Sequence, residues 1–155
     1  MDLGDKKMNV SREILNLMVK DHCKIQNLLD DFEEKTKQDH KALVKSFHKF
    51  EWELEKHVFV EEKAIFTTYN PEDVTEGYKM LPELTKQHNI ILNKLSNMRQ
   101  DILKRRSIQD ISGFKEFLTR HKNYEEQEVY PQLDEALDES QKKIIIDRIN
   151  EIVSE

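Results

Sequence analysis

The sequence predicts an all-α fold: an antiparallel up-down-up-down four-helix bundle with a short fifth helix at the C-terminus. Three observations lead there. Apolar residues recur at steps of three and four along four long segments, the spacing of helix faces that pack on one another. Only 3 Gly and 3 Pro punctuate 155 residues, of which 36% are charged, a helix-rich composition. No stretch of useful length alternates apolar and polar residues as a half-buried strand does. One domain over 1–155 is expected, with the bundle over about residues 11–137 and the last helix over about 140–153.

The first helix is expected from about Ser11, its N-cap, to Lys35, on a stripe of Ile14, Met18, His22, Ile25, Leu29 and Phe32. The second runs from about Asp39 to Phe66, on Leu43, Phe47, Phe50, Leu54, His57 and Glu61. Tyr69-Asn70-Pro71 ends it, because the residue before a proline is driven out of the α region. The third runs from about Leu81 to Lys104, with Pro82 in its first turn, where a missing N–H is tolerated. Its stripe is Leu81, Leu84, His88, Ile91, Leu95, Met98 and Ile102, and Lys104-Arg105-Arg106 closes a C-terminus that favours cations. The fourth runs from about Asp110 to Leu137, on Phe114, Phe117, His121 and Glu125, weakened or bent near its ends by Gly113 and Pro131. The last, from about Ser140 to Val153, caps the bundle with Ile145, Ile149 and Ile152.

Composition narrows the function classes. No run approaches the roughly 20 apolar residues that span a bilayer, and Met1-Asp2-Leu3-Gly4-Asp5-Lys6-Lys7 lacks the apolar core of a secretory signal. Cys23 is the only cysteine, so no internal disulfide forms, and a cytoplasmic location is expected. A net charge of −6 argues against nucleic acid as partner. The acidic, lysine-rich surface fits a monomer or weak homo-oligomer.

One motif occurs twice. His57-x-x-x-Glu61-Glu62-x-x-Ile65-Phe66 returns as His121-x-x-x-Glu125-Glu126-x-x-Val129-Tyr130. On a helix, residues four apart lie one turn apart on one face, so each copy sets an imidazole beside a carboxylate. His22, His57, Glu61, His88, His121 and Glu125 all stand in the apolar stripes where Leu or Ile is the norm. Burying unpartnered carboxylates costs several kcal/mol each; cations held by imidazole and carboxylate ligands cancel that charge. If both glutamates bridge, an antiparallel bundle pairs His22 with His57 on one metal and His88 with His121 on the other. Each ion is then four-coordinate from protein, with room for an oxo or hydroxo bridge and an open position. Mixed nitrogen and oxygen donors with vacancies suit iron or manganese, and the vacancies are where dioxygen or peroxide binds. A single His-x-x-x-Glu pair is usually a surface pair; two copies, each with a stripe-borne histidine one helix upstream, favour metal. No HExxH zinc signature or CxxC pair is present. Ferritin-like di-iron bundles place Glu before His at a spacing of three, the reverse of the order here.

The order His22, His57-x-x-x-Glu61, His88, His121-x-x-x-Glu125, over about residues 11–137, resembles the hemerythrin-like, or HHE cation-binding, family. The resemblance implies an antiparallel four-helix bundle around a non-haem di-iron centre, with the four histidines as terminal ligands and Glu61 and Glu125 bridging. Two iron ions with an oxo or hydroxo bridge are the implied cofactor, with manganese or zinc as substitutes. The chain departs from the family's oxygen carriers in two respects. Those carry His-x-x-x-His on the third helix, where this chain has His88 between Leu84 and Leu92. They end in His-x-x-x-x-Asp, where this chain has Glu125 and Glu126 at four and five residues from His121. Fewer nitrogen ligands leave both irons accessible, which points away from simple oxygen storage.

The leading expectation is therefore a di-iron protein that binds O2 or a related small oxidant as a sensor or redox/iron-response factor. The alternative is an enzyme reducing peroxide or nitric oxide, or an iron donor for repair of damaged iron centres. Two features weigh on these: the chain has no evident output domain for sensing, and it lacks the cysteine-bearing N-terminal segment of cluster-repair proteins. A third reading is a metal-free bundle whose buried polar groups pair with one another. Metal loss is expected below about 6.5, the ordinary imidazole pKa.

Other residues carry bland expectations. His40 and His48 lie off the stripes and read as solvated. Glu62 and Glu126 read as a solvated face, as hydrogen-bond acceptors behind the ligands, or as additional ligands. Cys23 reads as a small buried hydrophobe, Trp52 and Phe59 as core or interface groups, and Tyr124 and Tyr130 as aromatic packing at the edge of the site.

Overall fold

The computed structural model describes residues 13–66 and 75–154. It is all-helical, with no strand among the described residues. Helix α1 spans Glu13–Lys35, α2 His40–Val60, α3 Thr75–Leu103, α4 Ile111–Tyr124, α5 Tyr130–Ala136 and α6 Glu139–Ser154. Two π-helical turns interrupt the pattern: π1, Glu61–Phe66, follows α2, and π2, Glu125–Val129, joins α4 to α5. Helix α1 packs on α2, α2 on α3 and α3 on α4, while α6 lies against α1 and π1. The expected Ser11 cap and the Tyr69-Asn70-Pro71 stop lie outside the described residues.

Local chemistry fixes the ends. Asp39 caps α2, its carboxylate accepting the Ala42 N–H at 2.8 Å. Asp110 caps α4 from a left-handed backbone, φ 59°, and accepts the Gly113 N–H at 3.1 Å. A Cβ at 113 would run into that carboxylate, so glycine there serves the cap. Helix α3 ends in a Schellman turn: Arg106 N–H bonds the Asp101 carbonyl while Arg105 takes φ 52°. Asp138 and Gln141 form a reciprocal capping box at the start of α6, with bonds of 3.0 and 2.8 Å. The N-terminus of α1 is capped from a distance, the Ile14 and Leu15 amides donating to Asp134 of α5 at 3.1 and 3.0 Å.

Three expectations change. Helix α3 begins at Thr75, so Pro82 sits inside it. The apolar stripe starts at Leu81, which made the helix look shorter; partly buried Leu81 and fully buried Leu84 pack on the core through the proline turn. Trp52 and Phe59 are 64% and 50% exposed, because they stand on the outer face of α2 opposite Phe47, Phe50 and Leu54. Cys23 is exposed as well: one residue on from buried His22, it is turned about 100° away from the interior.

Buried apolar side chains form two clusters. One gathers Ile14, Met18, Ile65, Leu84, Val129, Leu133, Ile145 and Ile149. The other gathers Leu29, Phe32, Phe47, Phe50, Ile91, Leu95 and Phe114. Each fully buried side chain of this size stabilises the fold by about 1.5–3 kcal/mol relative to exposure. The buried His22, His57, Glu61, His88, His121 and Glu125 belong to neither cluster.

Candidate metal centre

Each histidine of the set comes from the interior face of a different helix: His22 from α1, His57 from α2, His88 from α3 and His121 from α4. Glu61 and Glu125 open the two π turns. A π turn reaches back five residues instead of four; in π2 the Tyr130 N–H bonds the Glu125 carbonyl. Pro131, which has no N–H, follows at once and α5 resumes. The periodicity of the sequence predicted α-helix through Phe66 and through Leu137, with Pro131 weakening or bending the latter. The wider turns, which the stripes do not reveal, start at the carboxylates.

The six side chains meet. His22 Nε2 lies 3.2 Å from His57 Nε2 and 3.0 Å from Glu125 Oε1. His57 Nε2 lies 2.9 Å, and His88 Nε2 3.2 Å, from Glu61 Oε1. His121 Nε2 lies 3.2 Å from Glu125 Oε2. Two donor sets that can each hold an ion emerge: Glu61, His88, His121 and Glu125, and His22, His57 and Glu125. Glu125 belongs to both sets. All six residues are buried, both glutamates at 0% exposure. His40 and His48 stand apart, His40 part-buried and His48 on the surface.

Behind each imidazole stands an acceptor for its other nitrogen. His22 Nδ1 pairs with Glu126 at 2.7 Å, His57 Nδ1 with Asp21 at 2.5 Å, His88 Nδ1 with Glu62 at 2.8 Å and His121 Nδ1 with Gln87 Oε1 at 2.6 Å. Ionised carboxylates and an amide oxygen only accept, so each Nδ1 carries the proton. Every Nε2 lone pair therefore points inward. Such outer acceptors fix the tautomer and raise the basicity of metal-binding imidazoles. Glu62 and Glu126 thus act as acceptors rather than as a solvated face. Asp21 and Gln87 were not singled out from sequence, although each immediately precedes a stripe histidine and serves the histidine of the following helix.

Inward lone pairs beside carboxylates need positive charge between them. In the metal-free chain, protons supply it. Burial pulls His88 down, but Glu125 and Glu61 outweigh it and push its pKa up to about 10. Burial likewise opposes, and Glu61, Asp21 and Glu125 overcome that opposition, to raise His57 well above the ordinary imidazole value. Burial favours neutral Glu125, yet the hydrogen bond with Glu61 and the nearby His121 and His22 hold it well below the usual carboxylate range. The protons are an incomplete answer, because His121 Nε2 and Glu125 Oε2 remain buried without a hydrogen-bond partner. Cations fit this donor set: they satisfy inward lone pairs, orphaned atoms and carboxylate charge together.

The sign of the pH effect follows. Folded pKa values raised above the unfolded value of about 6.5 stabilise the metal-free protein fully below that pH. That stability drains away as pH rises toward about 10, where folded His88 loses its proton. Urea midpoints of the chelated protein should fall from pH 6.5 to 10, and ion binding should release protons throughout that range. Competition between protons and metal thus reaches well above the ordinary imidazole pKa expected from sequence.

Two further features border the site. The Tyr130 hydroxyl, fully buried, donates to Glu61 Oε2 at 2.7 Å. Burial and the charges of Glu125 and Glu61 push its pKa well above the ordinary phenol value, so it stays a donor. A cavity of about 20 Å3 abuts His22, His57 and His121, walled by Ile25, Leu54, Val58, Ile91 and Leu118 with part-exposed Gln26 and Lys122. That is room for one small molecule. No described helix is long and apolar enough to cross a membrane.

Comparison with known proteins gives one family match. The sequence profile described as the hemerythrin HHE cation binding domain fits residues 13–133, more than half of the chain. No curated protein and no solved structure matches.

Proposed function

The chain belongs to the hemerythrin HHE cation-binding family, and from that premise we propose that it is a di-iron protein that binds O2 or a related small oxidant. The observation that carries this reading is the convergence of four inward-facing imidazoles and two buried carboxylates in two donor sets that share Glu125. In this proposal His22, His57 and Glu125 hold one ion, and Glu61, His88, His121 and Glu125 hold the other. The helices form an antiparallel up-down-up-down bundle that supplies one imidazole per helix. A bound iron pair supplies redox capacity and open positions for a small oxidant.

The residues of the chain do the rest. Asp21, Glu62, Gln87 and Glu126 orient the imidazoles through Nδ1. Ile25, Leu54, Val58, Ile91 and Leu118 keep the approach to His22, His57 and His121 apolar, and the cavity beside them suits a small molecule such as O2, peroxide or NO. On this reading the protein acts in the cytoplasm, as a monomer or weak homo-oligomer, as a sensor or redox/iron-response factor. The same cavity also admits peroxide or NO as a substrate, and turnover of either by the iron-loaded protein would favour the enzymatic reading.

Elemental analysis and an optical spectrum test the proposal. Purified protein is expected to carry two irons per chain and to show ligand-to-metal charge-transfer bands that peroxide or azide perturbs. Chelation should lower Tm, because ions that bind only the native state stabilise it by mass action. A protein that takes up no iron, and melts identically with and without chelator, overturns it.

A further inference from the structure

The two copies of the motif differ at their last position. The first ends in Phe66 and the second in Tyr130, so a phenol hydroxyl stands at that position on one side only. That hydroxyl is fully buried and donates to Glu61 Oε2 at 2.7 Å. The other oxygen of the same carboxylate, Oε1, faces His57 Nε2 at 2.9 Å and His88 Nε2 at 3.2 Å. Glu61 is thereby divided: one oxygen is turned to the histidines and the other is engaged by the tyrosine. Glu125 is arranged differently, with Oε1 near His22 and Oε2 near His121, and with Oε2 lacking a hydrogen-bond partner.

We propose that Tyr130 is a positioning residue that holds Glu61 to a single metal-binding oxygen and so keeps a coordination position open for an exogenous ligand. The inference rests on the di-iron reading above. Packing alone does not require the hydroxyl, since phenylalanine would fill nearly the same volume at 130. A donor to one oxygen of a carboxylate ligand fixes its orientation, as outer hydrogen bonds do for metal ligands generally. With the donor removed, Oε2 would be free to turn toward the ions and close the vacancy.

The test compares wild type with Tyr130→Phe in three readouts: iron per chain, Tm of the metal-free protein, and azide affinity of the diferric protein from its charge-transfer absorption. Both proteins are expected to hold two irons and to melt within a few degrees of each other, while azide binds the variant about tenfold more weakly or worse. Unchanged or tighter azide binding with iron retained overturns the positioning role and leaves the di-iron reading intact. Loss of iron in the variant alone shows that the hydroxyl serves to retain iron rather than to keep a position open, and a large fall in metal-free Tm makes it structural; either result overturns the proposal. Wild type that binds no iron removes the di-iron reading, and this inference with it.

Discussion

If the chain holds two irons as proposed, replacing Glu125 by alanine is expected to strip both from the protein. Glu125 is the one residue common to the two donor sets, with Oε1 3.0 Å from His22 and Oε2 3.2 Å from His121. Removing it leaves one set with His22 and His57 alone and the other with one carboxylate fewer. Iron content should fall from two per chain to near zero after desalting. Stabilisation by iron should vanish with it: an ion present at a thousand times its Kd contributes about 4 kcal/mol. For a chain of this size that is roughly 8–16 °C in Tm. Calorimetry with and without iron, beside metal analysis, reads both effects. A Glu125→Ala protein that keeps two irons would refute the shared-carboxylate arrangement. Glu128→Ala, on the exposed side of the same π turn, should change neither quantity.

The second large effect has nothing to do with metal. Asp134 is 2% exposed and Lys142 3%, their charged atoms 3.4 Å apart. The same carboxylate accepts the Ile14 and Leu15 amides, so one side chain ties α5, α6 and the start of α1 together. Asp134→Ala takes this carboxylate from a buried ammonium and uncaps a helix. Breaking a buried pair from one side costs about 3–5 kcal/mol, and losing a cap typically about 1 kcal/mol more. The urea midpoint should drop accordingly, with iron per folded chain unchanged. Asp134→Asn, which keeps an acceptor for α1, should lose less. A neutral result would mean that these three helices are joined by their apolar contacts alone.

Much of this molecule was legible in its sequence, for identifiable reasons. The stripes mark the interior because burial acts on every third or fourth residue, and polar residues in a stripe mark where the interior departs from apolar packing. His22, His57, Glu61, His88, His121 and Glu125 stand out on that ground, and all six are buried together. What escaped depends on geometry that periodicity does not encode. The π turns at Glu61 and Glu125 change the hydrogen-bond register without altering residue types. Asp21 and Gln87 look like ordinary helix-surface residues, and only the crossing of neighbouring helices brings them to His57 and His121. Tyr130 reads as one more aromatic until its hydroxyl is followed to Glu61. Trp52 and Phe59 show the opposite error, apolar side chains that no described neighbour covers well.

The division of the interior into two apolar clusters, with the histidines and glutamates in neither, bears on how the protein comes apart. Between those two oily blocks lies a charged storey that, in the metal-free chain, coheres only while protons sit on its imidazoles, so the tie between the blocks weakens as pH rises toward about 10. Bound cations would take over that tie wherever the imidazoles have lost their protons. They would rivet the blocks into one cooperative body, so a chelator that loosens the rivet would reach the whole architecture and not its middle floor alone.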